Sequence, residues 1–523
     1  MSPTPTIGRR QFLAGTLSAG SAALVTTVAP TWVKPSFAFI RSGAPLVTHG
    51  VQSGDVTSRT AVVWARADRR GKLLVDVSTS PSFDDFFTVR GPVAGAGRDF
   101  TAKVEIDDLP AGRDVFYRAR FVDRERESVA GEPVVGQFRT APALTRPRDV
   151  SFVWSGDTAG QGWGINPEFG GMRTYETMRQ LSPDFFLHSG DTIYADGPLV
   201  EEVPLPDGSI WRNIVTPEKA AVAQTLAEFR GNFRYNLLDE NVRRFNAEVP
   251  VLAQWDDHET VNNWYPGEVL TDPRYTETDA DVLAARARQA FHEYFPTSST
   301  VREPGRVFRR VRYGPDVELF VIDMRTYRGP NTANDQPVPG DDTAILGRVQ
   351  LDWLQRELRA SRVTWKVIAS DMPIGLVVPD GTEFEAVAQG RPEALGRELE
   401  IAELLSGLRA DGVRNVVWLT ADVHYAAAHH YDPARAVFTD FSPFWEFVAG
   451  PLNAGTFGPN PLDPTFGPEV RFQRAADFPN QPPSDGLQFF GHASMEAATR
   501  VMTVRLMDMA GSVLHEEELV PEA

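Results

Sequence analysis

The sequence holds no cysteine. That absence excludes disulfides, thiolate metal ligands and a cysteine nucleophile, so any metal must be held by oxygen and nitrogen. Basic residues are also scarce: 52 Lys and Arg stand against 70 Asp and Glu, a net charge of −18. A broad cationic footprint for nucleic acid is therefore missing, although a local cationic cleft is compatible with the balance. Long apolar runs are missing too, since the one near the N-terminus is broken by small polar residues and is too short and weak for a stable membrane span. What remains, 42% hydrophobic and 23% charged over 523 residues, is the composition of a folded chain with room for roughly two to four domains.

Residues 1–38 read as an export address. Arg9 and Arg10 precede Phe12 and Leu13, an Ala/Ser/Thr/Gly-rich run leads to Pro30, and Ser36 and Ala38 are small residues suited to cleavage after Ala38. This resembles a twin-arginine signal peptide, which implies the twin-arginine translocation machinery as a partner and a periplasmic or extracellular destination. From 45 to 142 the text breaks into short alternating segments, among them RTAVVWARA, KLLVDVSTS, FTAKVEIDDL, DVFYRARFV and VVGQFRTAP, at the spacing of a β-sandwich. The stretch LPAGRDVFYRARF gives this small all-β module a fibronectin III-like look. A linker is expected between Thr140 and Asp149, where alternation stops and Pro142 and Pro147 occur. Residues 149–523 then alternate apolar runs with amphipathic segments such as ADVLAARARQAFHEYF and ILGRVQLDWLQRELRAS, the pattern of an α/β domain.

One regularity in that second part carries chemistry. The apolar runs end on ionisable groups: Asp157 in SGDTAG, Asp191 in HSGDTIY, Asp256 to Glu259 in WDDHE, Asp323 and Arg325 in IDMR, Asp371 in IASD, and Asp422 and His424 in TADVH. Carboxyl ends of strands in open α/β sheets face the ligand crevice, so these groups are expected to converge there. Pooled carboxylates repel and drive one another's pKa values upward unless a cation sits among them. Asp, His, Asn and Tyr suit Fe, Mn, Zn, Mg or Ca rather than a soft-metal site.

The series SGDTAG, HSGDTIY, WDDHET with NNW, and TADVHY is similar to the metallophosphoesterase pattern of PhoD-type alkaline phosphatases, which are related to purple acid phosphatases. The resemblance implies a four-layer αββα sandwich as the catalytic domain, preceded here by the small β-sandwich. It also implies phosphoester hydrolysis at a metal centre, with a small-molecule or lipid phosphoester as substrate. Carried over by residue, it makes Asp191 a bridging carboxylate and Tyr194 a phenolate on Fe3+. Asp157 completes the first site, and Asp257, Asp422 and His424 divide between the two metals. Asp371 stands where related phosphatases place a histidine, and joins the ligand set on that ground. The second, divalent ion is Ca2+ in the first reading, with Mn2+ or Zn2+ as alternatives. PhoD-type enzymes can place a cysteine on the iron, and Asp157 is the oxygen-donor substitute available here.

The implied reaction is attack of a metal-activated water on phosphorus, in phosphomonoesters, phosphodiesters or both. Arg325 is then a candidate bidentate phosphate clamp, His258 a proton donor to the leaving oxygen or a phosphate ligand, and Asn263 a support for substrate or metal. Each has a plainer alternative. Asp157 or Asp371 alone could cap a turn or helix, Arg325 could form a structural ion pair with Asp323 or another carboxylate, and His258 could only orient Asp257. Adjacent His429 and His430 are read as surface or supporting residues, because neighbours in a strand face opposite ways. A phospholipase D-like phosphodiesterase on the same scaffold is the enzymatic alternative. A secreted binding protein with structural metals is the non-enzymatic one.

Overall fold

The computed structural model describes residues 43–298 and 305–522. The expected signal segment, residues 1–38, lies outside the described residues.

Two large sheets face each other because their central strands are apolar on both faces. In the first, Val150–Ser155, Phe185–Ser189 and Val251–Gln254 run parallel. Phe152, Trp154, Phe185 and Leu187 point into a core shared with Leu319, Val321, Val367 and Leu419 of the second sheet. Val153 and Phe186, one residue out of phase, pack the other way with Tyr175, Phe229, Phe245 and Phe291. Those four belong to the helices Arg173–Gln180, Leu226–Asn236, Glu240–Glu248 and Ala280–Tyr294.

The second sheet repeats the arrangement in mirror fashion. Its parallel strands are Val317–Val321, Trp365–Ala369, Val416–Thr420 and Phe444–Val448. Phe320, Ile368 and Trp418 meet Leu351, Leu354 and Leu405 on the outer side, on the helices Gly347–Ala360 and Glu398–Ala410. The result is helix, sheet, sheet, helix: four layers held by two outer cores and one inner one. The aromatic stretch FSPFWEF, residues 441–447, runs into the interior strand Phe444–Val448, where Phe444 and Phe447 are buried in the core.

The N-terminal β-sandwich is joined to this body more closely than a bead on a linker. Val47–Gly54, Ala61–Ala67 and Thr101–Ile106 form one of its faces, and Gly54 pairs in parallel with Val251, so this face continues the first sheet. The opposing face is Phe87–Ala94, Gly71–Ser78, Asp114–Val122 and Val134–Arg139. Residues 140–149 contain no strand or helix. Val47–Gly54 escapes the alternation rule through a register shift, with His49 at φ +62°, whereas Phe87–Ala94 alternates over most of its length along an exposed edge. Lys103 fastens the joint: its ammonium donates to the carbonyls of His292, Phe295 and Thr297 at 2.8, 3.1 and 3.1 Å, just where the helix Ala280–Tyr294 ends. No helix among the described residues is long and apolar enough to cross a membrane.

Candidate metal centre

Parallel registers bring the strand ends together. Asp157, Asp191 and Asp257 follow three adjacent strands of the first sheet, while Arg325, Asp371 and Asp422 follow three adjacent strands of the second. The backbone must turn sharply to aim these groups inward. Asp157, Asp191, Asn263, Asp422 and His424 all sit in the left-handed region, at φ of +66°, +49°, +61°, +65° and +59°. Each such conformation costs about 1–3 kcal/mol in a non-glycine residue, and clusters of them mark sites where geometry is held by the surrounding fold.

Two overlapping groups of donors result. Ligand atoms of Asp157, Asp191 and His424 lie within 4.8 Å of one another, as do those of Asp191, Asp257 and His258, and all five residues are buried or nearly so. Asp191 is common to both. Tyr194 joins the first group: its phenol donates to Nε2 of His424 at 2.7 Å. The imidazole of His424 is fixed from behind, Nδ1–H donating to the carbonyl of Gly455 at 2.5 Å, which leaves Nε2 facing the carboxylates. Two glycines make the fit possible. A Cβ on Gly160 would stand 2.3 Å from the Tyr194 ring, and one on Gly450 2.1 Å from Oδ2 of Asp157.

The electrostatics call for a cation. Both carboxylate oxygens of Asp157, both of Asp371, and Oδ1 of Asp257 are buried without a hydrogen-bond partner among the described residues. Buried carboxylates left in this way are costly unless a charge of opposite sign reaches them. Burial and then Asp256 push Asp157 well above the usual carboxylate range; burial, Asp257 and Asp256 do the same to Asp191. Asp371 and Asp422 are raised by burial and by Asp256. Asp257 departs from the pattern: burial pushes it up, but Arg325 and His258 prevail and hold it at about 2. Oxygen and imidazole donors with orphaned buried lone pairs fit hard or borderline ions.

Other expected residues occupy different places. Arg325 is 0% exposed and lies among carboxylates: Nε is 2.5 Å from Asp256 and 3.6 Å from Asp371, Nη2 pairs with Glu385, and Asp257 lies at 3.7 Å. Both two-pronged edges of its guanidinium include an atom committed to a carboxylate, so the expected bidentate phosphate clamp gives way to an ion-pair hub. Its expected alternative partner, Asp323, instead accepts from the backbone N–H of Arg325 at 3.1 Å. Asp371 and Asp422 belong to neither donor group and lie on the Arg325 side of the pocket. Asn263 contributes its backbone N–H to Oδ2 of Asp257 at 2.5 Å. Glu259 ties two strand ends together, accepting from the N–H of Thr192 and of Asp256 at 2.5 and 2.7 Å.

Two partners were not anticipated. Asp196 accepts from Nδ1–H of His258 at 2.8 Å and fixes that ring against Tyr194, with centroids 4.2 Å apart. Glu385, on the loop after a two-residue strand, is the counter-ion of Arg325 and carries no periodic signal. His429 and His430 face opposite sides of the strand Ala426–Tyr431, the first buried against Glu446 at 3.0 Å and the second tilted at 55° against the ring of Trp445.

The two site histidines should titrate in opposite senses. Burial keeps His424 neutral down to about 4, whereas His258, lowered by burial but raised more by Asp196 and Asp257, stays protonated up to about 10. Imidazole 15N NMR of the metal-free protein should show both: a neutral His424 carrying its proton on Nδ1 between pH 5 and 8, and a cationic His258 over the same range. A neutral His258 at pH 7 would contradict this arrangement.

A four-layer sandwich whose parallel strands pool oxygen and nitrogen donors matches a known family over most of its length. The PhoD-like phosphatase model matches residues 152–506 and that of the PhoD-like phosphatase N-terminal domain residues 34–142. The chain belongs to the PhoD-like phosphatase family and is a phosphoric ester hydrolase. Among its relatives is alkaline phosphatase D of Bacillus subtilis (strain 168), 27% identical over 485 residues that cover 87% of this chain and 77% of the relative. Among solved structures, that of PhoD superposes with a TM-score of 0.69 at 20% identity, covering 92% of this chain and 90% of that one. The purple acid phosphatase PPD1 isolated from yellow lupin (Lupinus luteus) seeds gives 0.59 at 10% identity, covering 91% and 74%. At these identities the structural likenesses speak for the fold, the four-layer body with its β-sandwich.

Proposed function

We propose that the protein is an exported metal-dependent phosphoesterase that hydrolyses phosphomonoesters, phosphodiesters or both. The reading rests on one observation above all: Asp191 is shared by two groups of buried donors, the arrangement a carboxylate needs to bridge a pair of cations. Asp157, Asp191, Tyr194 and His424 would hold the first ion, and Asp191 and Asp257 the second, with Asp422 and Asp371 completing the carboxylate wall beside it. The phenol of Tyr194 favours Fe3+ in the first position, since phenolate is a hard anionic donor. Ca2+ is the proposed second ion, with Mn2+ or Zn2+ as alternatives. When bound, the ions supply the Lewis-acid charge that phosphoryl transfer to water requires.

The chain's own residues do the rest. His258, cationic and oriented by Asp196, offers a proton to the leaving oxygen. Arg325 keeps Asp257 ionised as a donor, and Asn263 braces it through the backbone. The proposed division of the chain, a signal at 1–38, a sandwich at 45–142 and a catalytic body at 149–523, delivers a folded enzyme outside the cytoplasm through the twin-arginine route.

Metal analysis of purified protein, paired with hydrolysis of p-nitrophenyl phosphate, bis-p-nitrophenyl phosphate and a phosphatidylcholine vesicle, tests the reading. Ferric iron on Tyr194 should give a visible charge-transfer band that Tyr194→Phe removes. A colourless, fully active wild type would defeat the iron assignment, and no hydrolysis of any of the three substrates by metal-replete protein would defeat the hydrolase reading of this site.

A further inference from the structure

Beside the carboxylates lies a buried cation that forms no ion pair with an acidic side chain among the described residues. Arg328 follows Arg325 by one turn of loop and is 3% exposed. Nη2 donates to Oδ1 of Asn331 at 2.7 Å and to the carbonyl of Glu385 at 2.5 Å, both neutral acceptors. Nε and Nη1 are buried and meet no acceptor among the described residues, and neither does Nη1 of the adjacent Arg325. Three N–H-bearing nitrogens of two guanidiniums close enough to feel each other's charge are thus without an acceptor among the described residues.

Such an arrangement is expensive without an anion. A buried donor with no acceptor loses its hydration and regains nothing, and two like charges side by side repel strongly where water is excluded. The repulsion is felt: burial, and then Arg325, depress Arg328 to about 10, while Glu385, Asp371 and Asp257 pull the other way, which sets Arg328 in the field of the metal-centre carboxylates. Arg328 is also built in rather than draped across the surface. Arg397, 0% exposed, donates to Oδ1 of the same Asn331 at 3.0 Å and to the carbonyls of Pro330, Phe384 and Ala386, so the loops that hold Arg328 are pinned from behind.

We propose that Arg328, together with the open Nη1 of Arg325, forms the seat for the phosphoryl oxygens of the substrate. A phosphoryl group presents several acceptor oxygens and negative charge, the combination that three open guanidinium nitrogens require, and a planar fork fixes its orientation as well as its position. The seat rests on the hydrolase reading above for its place in a reaction, but binding of free inorganic phosphate reads it without turnover. The competing role is a purely structural pin of the loop at Glu385.

Inorganic phosphate is the probe. Metal-replete wild type, Arg328→Lys and Arg328→Gln are compared by phosphate-dependent rise in melting temperature, by competitive inhibition of p-nitrophenyl phosphate hydrolysis, and by elemental analysis. Loss of charged hydrogen bonds should weaken phosphate binding by about tenfold or more in the Gln variant and raise KM more than it lowers kcat, with metal content unchanged. The Lys variant, which keeps charge but loses the fork, should fall between, and it carries the test alone if the Gln variant does not fold. Unchanged phosphate affinity in the Lys variant, or a lower melting temperature in either variant with phosphate affinity intact, overturns the seat in favour of the pin. Loss of metal in parallel with phosphate affinity overturns it too, as does wild type that phosphate does not stabilise. Phosphate binding that depends on Arg328 in a protein that hydrolyses none of the substrates would leave the seat standing and remove the hydrolase reading.

Discussion

Replacing Asp191 by asparagine is expected to abolish hydrolysis of monoester and diester alike and to strip metal from the site, while making the metal-free protein more stable than wild type. The three effects share one cause. Asp191 is the carboxylate common to both donor groups, so its loss weakens both cation positions at once. Removing a single preorganised transition-state donor costs about 10²–10³-fold in many enzymes, and loss of a bridging ligand should exceed that. Asparagine nevertheless fits the fold. It tolerates φ near +49°, the value at Asp191, and its side-chain oxygen can still accept from the N–H of His258, which Oδ1 of Asp191 does at 3.3 Å.

The stability effect follows from linkage. Burial and then Asp257 and Asp256 raise the Asp191 carboxyl well above its ordinary range. A carboxyl raised on folding is held charged at neutral pH only at the expense of the folded state, so its neutral replacement relieves a penalty that grows as pH rises above the unfolded carboxyl pKa. Metal-replete wild type should be the more stable of the two loaded proteins, and metal-free Asp191→Asn the more stable of the two stripped ones. Elemental analysis and melting temperatures with and without chelator measure this inversion. Full metal content and substantial turnover in the variant would refute the bridging role.

Asp191 could be found from sequence because a parallel strand buried on both faces writes an uninterrupted apolar run, and the residue that ends it stands out. The same signal located Asp157, Asp257, Asp371, Asp422 and His424, and the 3.6-residue period located the helices at Ala280–Tyr294 and Gly347–Ala360. Partner choice left no such mark. Arg325 and Asp256 are 69 positions apart, and Glu385 reaches the pair from a loop with no period, so which carboxylate neutralises which cation is decided only when the two sheets stack. Asp196 pairs with His258 only because of the turn after Trp255, which no periodicity marks. The helices Leu226–Asn236 and Glu240–Glu248 are short, polar-rich and carried by caps, Thr225 with Glu228 in one and Asp239 in the other, rather than by a long apolar stripe. Continuity of the sandwich with the first sheet rests on one backbone pairing, Gly54 with Val251, which side-chain patterning does not encode.

Arg325→Met should be the most destabilising single change at the site in the metal-free protein, costing about 3–5 kcal/mol, the range seen when one partner of a buried ion pair is removed. Burial alone would lower the guanidinium, yet Asp256, Glu385, Asp257 and Asp371 together hold it charged well above its ordinary range. With Arg325 gone, those four carboxylates face one another without it, and Asp257, now kept at about 2 against the pull of burial, should rise. The deficit therefore has a pH signature. A carboxylate whose folded pKa is raised destabilises the native state increasingly as pH climbs past the unfolded value, so the gap between variant and wild type should widen from about pH 4 towards neutrality and narrow again in acid. Arg325→Lys should recover part of the loss, because a compact ammonium restores charge but cannot span Asp256 and Glu385 with a planar fork. Bound cations supply the missing positive charge, so the same substitution should cost less in metal-replete protein. Urea unfolding at several pH values, with and without chelator, reads all of these; a residue that served only to clamp phosphate would leave every one of those curves in place and raise KM alone.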